Sequence, residues 1–367
     1  MAPPRTRTRE AALDRREQQP PGPRARGAAT NPPNRFERLH IEGDPTVGHD
    51  GAPLETRYLR DPVRTAISFN TSPDIGFDAS LNPYRGCLHG CSYCYARPTH
   101  EYLGLSAGLD FESQILVKDA LPELLRNELG AKRWTPQAIA MSGVTDAYQP
   151  IERHLQLTRQ CLEVLLAFRN PVSIITKSAL VARDRDLLAA LASFDAAAVN
   201  LSITTLDASL TRTLEPRASH PNQRLRAISR LARAKVPVGV MIAPVIPGLN
   251  DHEIPAVLSA ARQAGARSAG MILLRLPQGM DSLFEEWLWR HVPNRAKRVL
   301  SRVRETRGGR LNDPRFGSRM RGEGTYAAQL RDLFELQRRR LGLSAMLPTL
   351  STEHFRRPGN GQLALFD

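Results

Sequence analysis

The chain of 367 residues is poor in cysteine, lysine and aromatic residues. Four cysteines cannot staple a chain of this length, so a disulfide framework is excluded and apolar burial must hold the core. At 41% hydrophobic residues there is enough apolar surface for one large domain with extensions. No run of 18 apolar residues occurs, and the N-terminus lacks the basic-then-apolar order of a signal peptide. These absences lead to the expectation of a soluble, cytoplasmic protein with no membrane partner. Lysine supplies only five of the 51 basic residues, so the positive charge is almost wholly guanidinium.

That charge is large. A formal net charge of +14 attracts polyanions by displacing their counterions, which makes nucleic acid the expected partner class. A composition biased toward Arg, Ala and Pro is the competing explanation, in which the basic surface is merely solvated. The unevenness of the charge favours binding, because residues 291–340 carry fourteen Arg or Lys against five Asp or Glu.

Texture divides the chain. Residues 1–60, opening "MAPPRTRTREAALDRREQQPPGPRARGAATNPPNRFE", are rich in Pro, Arg and Gln with little apolar spacing. Such a stretch does not repay the entropy of ordering, so it is expected to be a disordered basic arm. Two local exceptions are weighed: ordering near "NRFE", and folding of the arm over the active site. Residues 61–280 alternate short apolar runs with amphipathic helical patterns. The candidate strands are a first one around "DASLNPYRG", then 113–118, 137–143, 171–177, 196–204, 236–244 and 268–276. Helical patterns cover 151–168 and 222–234. A strand and a helix recurring in this way imply an α/β fold with a parallel sheet, too few units for a closed eight-stranded barrel, and hence a partial (β/α)6-type TIM barrel. Reactive groups in such folds gather at the C-terminal ends of the strands.

Three of the four cysteines stand there, in "GCLHGCSYCYAR". Cys87, Cys91 and Cys94 have the spacing C-x3-C-x2-C, which lets one loop wrap an iron–sulfur cubane and give a thiolate to each of three irons. The fourth iron then has no protein ligand and is open to a substrate-like one. A zinc site completed by His89 or His100 is the alternative, though zinc ligands usually come as two separated pairs and no second pair occurs. Cys161 lies in a helical pattern and reads as an ordinary buried cysteine.

"CLHGCSYC", with Tyr93 just before the last cysteine, resembles the C-x3-C-x-aromatic-C signature of the radical S-adenosylmethionine superfamily. "NPYRGCLHGCSYCY", "MSGVTDAYQPIE" and "IITKS", followed by "NLSITT", "LEPRASHPNQRL" and "VGVMIAPVIPG", are similar in order to the spore photoproduct lyase-like branch over roughly residues 75–280. The resemblance implies a 4Fe-4S cluster on Cys87, Cys91 and Cys94. It further implies S-adenosylmethionine contacts from Thr145, Asp146, Lys177 and Ser202, with Tyr93 and Tyr95 lining the adenine pocket. An electron donor such as flavodoxin or ferredoxin would reduce the cluster, and homolysis of the sulfonium would yield a 5'-deoxyadenosyl radical. One departure is that Val144 stands where the lyase has a cysteine that returns hydrogen to its product. Tyr148 and Tyr95 are the alternative relays.

Beyond residue 280, "SLFEEWLWRHV", "RAKRVLSRVRETRGG" and "YAAQLRDLFELQRRRLG" read as amphipathic, Arg-rich helices, giving a helical C-terminal extension over 281–355. Residues 356–367 form a tail in which Gln362, Leu363, Leu365 and Phe366 resemble the Q-L-x-L-F peptide that docks bacterial repair proteins on the sliding clamp. The leading expectation is therefore a radical S-adenosylmethionine enzyme acting on damaged or modified DNA. Modification of a protein or small molecule, and a non-catalytic iron–sulfur or zinc DNA-binding protein, are the alternatives.

Overall fold

The computed structural model describes residues 23–38 and 54–358. Its centre is a seven-stranded sheet. Ile67–Phe69 (β2) runs antiparallel at one edge against Ala79–Leu81 (β3). Five further strands then follow in parallel: Ile139–Met141 (β6), Val172–Thr176 (β7), Ala197–Ser202 (β8), Val238–Val245 (β9) and Ser268–Leu273 (β10). The spatial order β10-β9-β8-β7-β6-β3-β2 contains six consecutive parallel strands, the partial barrel expected from the sequence.

These runs form strands because both of their faces are covered. Val172, Ile174, Val199, Leu201, Val238 and Val240 have no exposed surface, which is why the strands read as near-continuous apolar stretches. The crossover helices supply the outer layer. Leu121, Leu125 and Leu129 recur every four residues along the helix Leu121–Gly130 and are fully buried, so each truncation to Ala costs about 2–5 kcal/mol. The helix Pro221–Arg233 starts where Pro221 follows a capping box made by His220 and Gln223.

Three expectations are corrected. The run at 113–118 does form a strand, Gln114–Val117 (β5), but outside the barrel. It joins Arg57–Arg60 (β1) and Tyr84–Arg85 (β4) in a separate three-stranded sheet. The stretch "DASLNPYRG" divides accordingly, since Pro83 has no N–H for a ladder and separates β3 from β4. The helix expected over 151–168 breaks at Gln156, whose φ is +52°, into Glu152–Leu155 and Leu157–Phe168. The break turns the Glu152 carboxylate inward, where it accepts from the Tyr84 hydroxyl at 2.5 Å and the Thr158 N–H at 3.1 Å.

Within the arm of residues 1–60, the stretch that holds "NRFE" is among the described residues. Residues 23–38 pack against the cysteine loop and β1 pairs with β5, while 1–22 and 39–53 lie outside the described residues. The clamp-like residues Gln362, Leu363, Leu365 and Phe366 also lie outside them.

The C-terminal helices Met280–His291, Pro293–Glu305 and Gly324–Arg340 form where expected. Trp287, Phe284 and Leu288 pack with Ile246, Leu249, Leu274 and Leu276, which follow β9 and β10, so this extension covers the C-terminal ends of those strands. It also joins the two edges of the open barrel. Arg319 donates to Asp74, in the β2–β3 loop, at 2.5 Å, and the N–H of Gly317 donates to the same carboxylate at 2.8 Å. Behind this clasp, Arg307 donates to the carbonyls of Leu273, Leu274, Ser318 and Arg319. No described helix is long and apolar enough to cross a membrane.

Candidate active site

The cysteine loop begins at the end of β4 and is gripped by three chain segments. The N–H of Cys87 donates to Phe111 O (2.9 Å). Ser92 N–H donates to Leu214 O (3.0 Å) and Arg217 N–H to His89 O (3.2 Å). From the third segment, the N–H groups of Gly27 and Ala28 bond the carboxylate of Glu112 at 3.0 and 2.8 Å. The approach is close enough to require glycine, because a Cβ on Gly27 would stand 1.7 Å from Gly90 O.

Inside this grip, Arg97 donates twice to Cys91 O, at 3.0 and 2.9 Å, and pairs with Glu112. Both side chains are essentially inaccessible, so the pair sets the course of the backbone between Cys91 and Cys94. All three cysteines are free, and burial pushes each thiol pKa up. A buried thiolate needs a neutralising cation, which is what a metal centre supplies. The hydroxyl of Ser92, in the same loop, is buried with no hydrogen-bond partner among the described residues. Three free cysteines on one loop, Cys87 and Cys91 buried and Cys94 half-buried, thus fit an iron–sulfur cluster.

The zinc alternative finds no such support. Among the described residues no three His, Cys, Asp or Glu side chains, the three cysteines included, are placed to share one ion, whereas a cubane gives each sulfur its own iron and asks for no shared ion. His100 Nε2 is engaged with Gln114 O at 3.0 Å, and His89 Nδ1 faces Asp146 at 3.4 Å. Cys161 is fully buried within the helix Leu157–Phe168, away from the loop, as expected.

The residues assigned from the resemblance line up along neighbouring strand ends. Asp146 follows β6, Lys177 follows β7 and Ser202 ends β8. Lys177 Nζ donates to Ser202 Oγ (3.0 Å) and Ala243 O (3.3 Å), and lies 5.7 Å from the centre of the Tyr93 ring. Asp146 accepts from Thr176 Oγ1 (2.7 Å), Lys177 N–H (2.8 Å) and Tyr148 N–H (2.9 Å). Burial alone would raise its pKa, but the charge of His89 and these donors hold the carboxyl down at about 2. Asp146 therefore ties the ends of β6 and β7 together, with both oxygens bonded within the protein. Thr145 turns toward the cysteine loop and donates to Gly86 O at 2.6 Å.

The two tyrosines separate. Tyr93 is buried, its hydroxyl donating to Glu215 and lying 3.2 Å from Thr204 Oγ1. Tyr95 is exposed and donates to Gly143 O at 2.8 Å. Val144, next to Gly143, is also exposed. Of the two relay candidates, Tyr148 is fully buried in the barrel core and does not reach the open surface that Tyr95 occupies.

Sequence reasoning missed the acid at the centre of this end of the barrel. Glu215 accepts from Tyr93, Thr204 (2.6 Å) and Arg224, which in turn donates to Ser202 O at 2.9 Å. Burial opposes ionisation of Glu215, yet Arg224, Lys177 and the two hydroxyls lower its pKa to about 2. Both Glu215 and Arg224 stood within the quoted "LEPRASHPNQRL", but nothing in the spacing marks them as partners. Arg97 and Glu112 carried no signal at all.

Comparison with known proteins agrees with this geometry. The radical SAM superfamily matches residues 81–261. An uncharacterized protein of Mycobacterium tuberculosis strain H37Rv is 36% identical over 233 residues, which is 63% of this chain and 67% of that one. Another, from Methanocaldococcus jannaschii, is 35% identical over 191 residues, 52% of this chain and 69% of the relative. The solved structure of spore photoproduct lyase complexed with dinucleoside spore photoproduct superposes with a TM-score of 0.57 at 16% identity, covering 78% of this chain and 81% of that one. The chain belongs to the radical S-adenosylmethionine superfamily, whose members are enzymes.

Proposed function

We propose that the protein holds a 4Fe-4S cluster on Cys87, Cys91 and Cys94, cleaves S-adenosylmethionine reductively, and acts on damaged or modified DNA. The observation that carries the cofactor reading is the loop of three free cysteines, Cys87 and Cys91 buried and Cys94 half-buried, whose backbone is held by Arg97 and, through it, Glu112. When bound, the cluster and S-adenosylmethionine supply a one-electron cleavage that gives a 5'-deoxyadenosyl radical for hydrogen abstraction, with the electron coming from a flavodoxin or ferredoxin.

The chain's own residues bind, orient and exclude water. Lys177 and Ser202 offer an ammonium and a hydroxyl at adjacent strand ends, groups suited to the carboxylate and ribose of the cofactor. Asp146 keeps the strand ends carrying Thr145 and Lys177 in register. Tyr93 and Tyr95 provide aromatic faces on the buried and open sides of the loop. Glu215 and Arg224 fix Tyr93 and the end of β8 from behind.

DNA as substrate is supported by the net charge of +14 and by a fold shared with an enzyme solved with a dinucleoside lesion. Val144 provides no thiol at the strand end, so hydrogen return would follow a route different from the lyase's, with exposed Tyr95 the relay. We also propose that Gln362, Leu363, Leu365 and Phe366 dock the enzyme on a sliding clamp in the cytoplasm.

The test is anaerobic reconstitution with iron and sulfide, reduction, addition of S-adenosylmethionine and mass-spectrometric assay of 5'-deoxyadenosine, beside the triple Cys-to-Ala variant. Production above that control is expected. A loaded, reducible cluster that yields none with or without lesion-bearing DNA would overturn the proposal.

A further inference from the structure

Four arginines around the barrel mouth are fully engaged. Arg97 is bonded to Cys91 O and Glu112, Arg307 to four carbonyls, Arg319 to Asp74 and Ser72, and Arg224 to Glu215 and Ser202 O. Arg275, two residues beyond β10, is half-buried, and its Nε is buried with no hydrogen-bond partner among the described residues. No carboxylate among the described residues forms an ion pair with it, so its charge is not neutralised within the protein, and burial and the like charge of Arg319 lower its pKa.

Arg275 does not stand alone. Arg307 bonds Leu274 O, next to Arg275, together with the carbonyls of Ser318 and Arg319, which sets Arg275 beside the clasp and the chain that carries Phe316. Asp74 is already bonded to Arg319 and Gly317 N–H, leaving it a weak counterion for Arg275. Arg319 in turn lies 4.4 Å from the centre of the Phe316 ring, and Phe316 and Tyr95 are both exposed, at 60% and 53%. An unneutralised guanidinium beside a clasp that carries an open aromatic face has the chemistry that holds a single nucleic-acid strand, in which the cation takes a phosphate and the ring takes a base.

We propose that Arg275 anchors an internucleotide phosphate of a single-stranded or extruded DNA substrate at the mouth of the barrel, with Phe316 stacking on a neighbouring base. This rests on the nucleic-acid reading given above. A phosphodiester is favoured over the carboxylate of S-adenosylmethionine because Arg275 lies beside the clasp that carries the exposed Phe316, whereas Lys177 and Ser202 lie beside buried Tyr93.

The experiment uses the reconstituted full chain under anaerobic conditions, with fluorescein-labelled oligothymidylate as probe across a salt series, and S-adenosylmethionine affinity measured in parallel by calorimetry. Arg275→Gln should weaken oligonucleotide binding about tenfold and reduce the slope of log K against log salt by about 0.7, the value for one phosphate on a single strand. Arg275→Lys should restore the slope. Phe316→Ala should weaken binding without changing the slope, since stacking releases no counterion. S-adenosylmethionine affinity should be unchanged in all three. Oligonucleotide binding by the wild type that Arg275→Gln leaves intact would overturn the Arg275 assignment alone, as would a loss confined to S-adenosylmethionine. Failure of the wild type to bind the strand at all would overturn the nucleic-acid reading together with it.

Discussion

Arg97 and Glu112 form an ion pair with 1% and 0% of their side chains exposed, directly beneath the backbone that links Cys91 to Cys94. Each partner also bonds the main chain: Arg97 holds Cys91 O and Gly108 O, and Glu112 holds the N–H groups of Gly27 and Ala28. A pair so placed is a positioning device for the cysteine loop.

Glu112→Gln should leave the Arg97 charge buried without its counterion. The expected cost is about 3–5 kcal/mol, as for other broken buried pairs, with a parallel fall in iron bound per chain. Thermal unfolding and iron analysis check this, and an unchanged melting temperature with full iron loading would remove the positioning role.

Single replacements of Cys87, Cys91 or Cys94 by Ala should abolish the visible absorbance of the reconstituted cluster. Cys161→Ala should retain that absorbance and lose only about 1 kcal/mol of stability, because its sulfur sits in an apolar core. A full 4Fe-4S cluster in any of the first three variants would defeat the ligand assignment.

Glu215 predicts a pH signature. Its folded pKa is about 2, below the ordinary 4.5, so the unfolded state binds more protons between those values. The stabilisation is therefore full above pH 4.5 and is lost as pH falls toward 2. The stability difference between wild type and Glu215→Gln, measured by denaturant unfolding, should shrink over that window. A difference independent of pH would show that the carboxylate charge is not what Arg224 and Tyr93 recognise.

The segment 25–28 covers the cysteine loop. Gly27→Ala places a Cβ 1.7 Å from Gly90 O and must displace that cover. Bleaching of the cluster absorbance in air is expected to quicken several-fold, and an unaltered rate would mean the segment shields nothing.

The tail makes a separate prediction. Deleting Gln362 to Asp367 should abolish clamp binding in a pull-down or by calorimetry while 5'-deoxyadenosine production stays the same. Retained clamp affinity would dismiss the docking proposal.

The six parallel barrel strands were legible because strands buried on both faces must be apolar throughout, and "PVSIITK" or "VPVGVMIAP" admits few other readings. The cysteine loop was legible because its chemistry is local, three sulfurs within eight residues. "SQILVK" shows where this stops. An apolar run specifies a strand but not its sheet, and only the pairing with β1 and β4 removes β5 from the barrel. Gln156 shows the same limit, since an uninterrupted helical pattern yields there to the burial of Glu152 beside Tyr84.

Charged residues divide in the same way. Along the chain Arg97, Glu112, Glu215 and Arg224 look like any solvated charges, and Asp74 and Arg319 are 245 residues apart. Their pairings follow from where the folded chain brings them, and each is specified by desolvation, which makes an unpartnered charge too costly to keep. Strand and helix type, and the cluster ligands, come from short-range pattern and can be read in one dimension. The clasp across the open barrel, the support beneath the cysteine loop and the placing of Arg275 beside that clasp are long-range juxtapositions, which exist only once the backbone has closed around them.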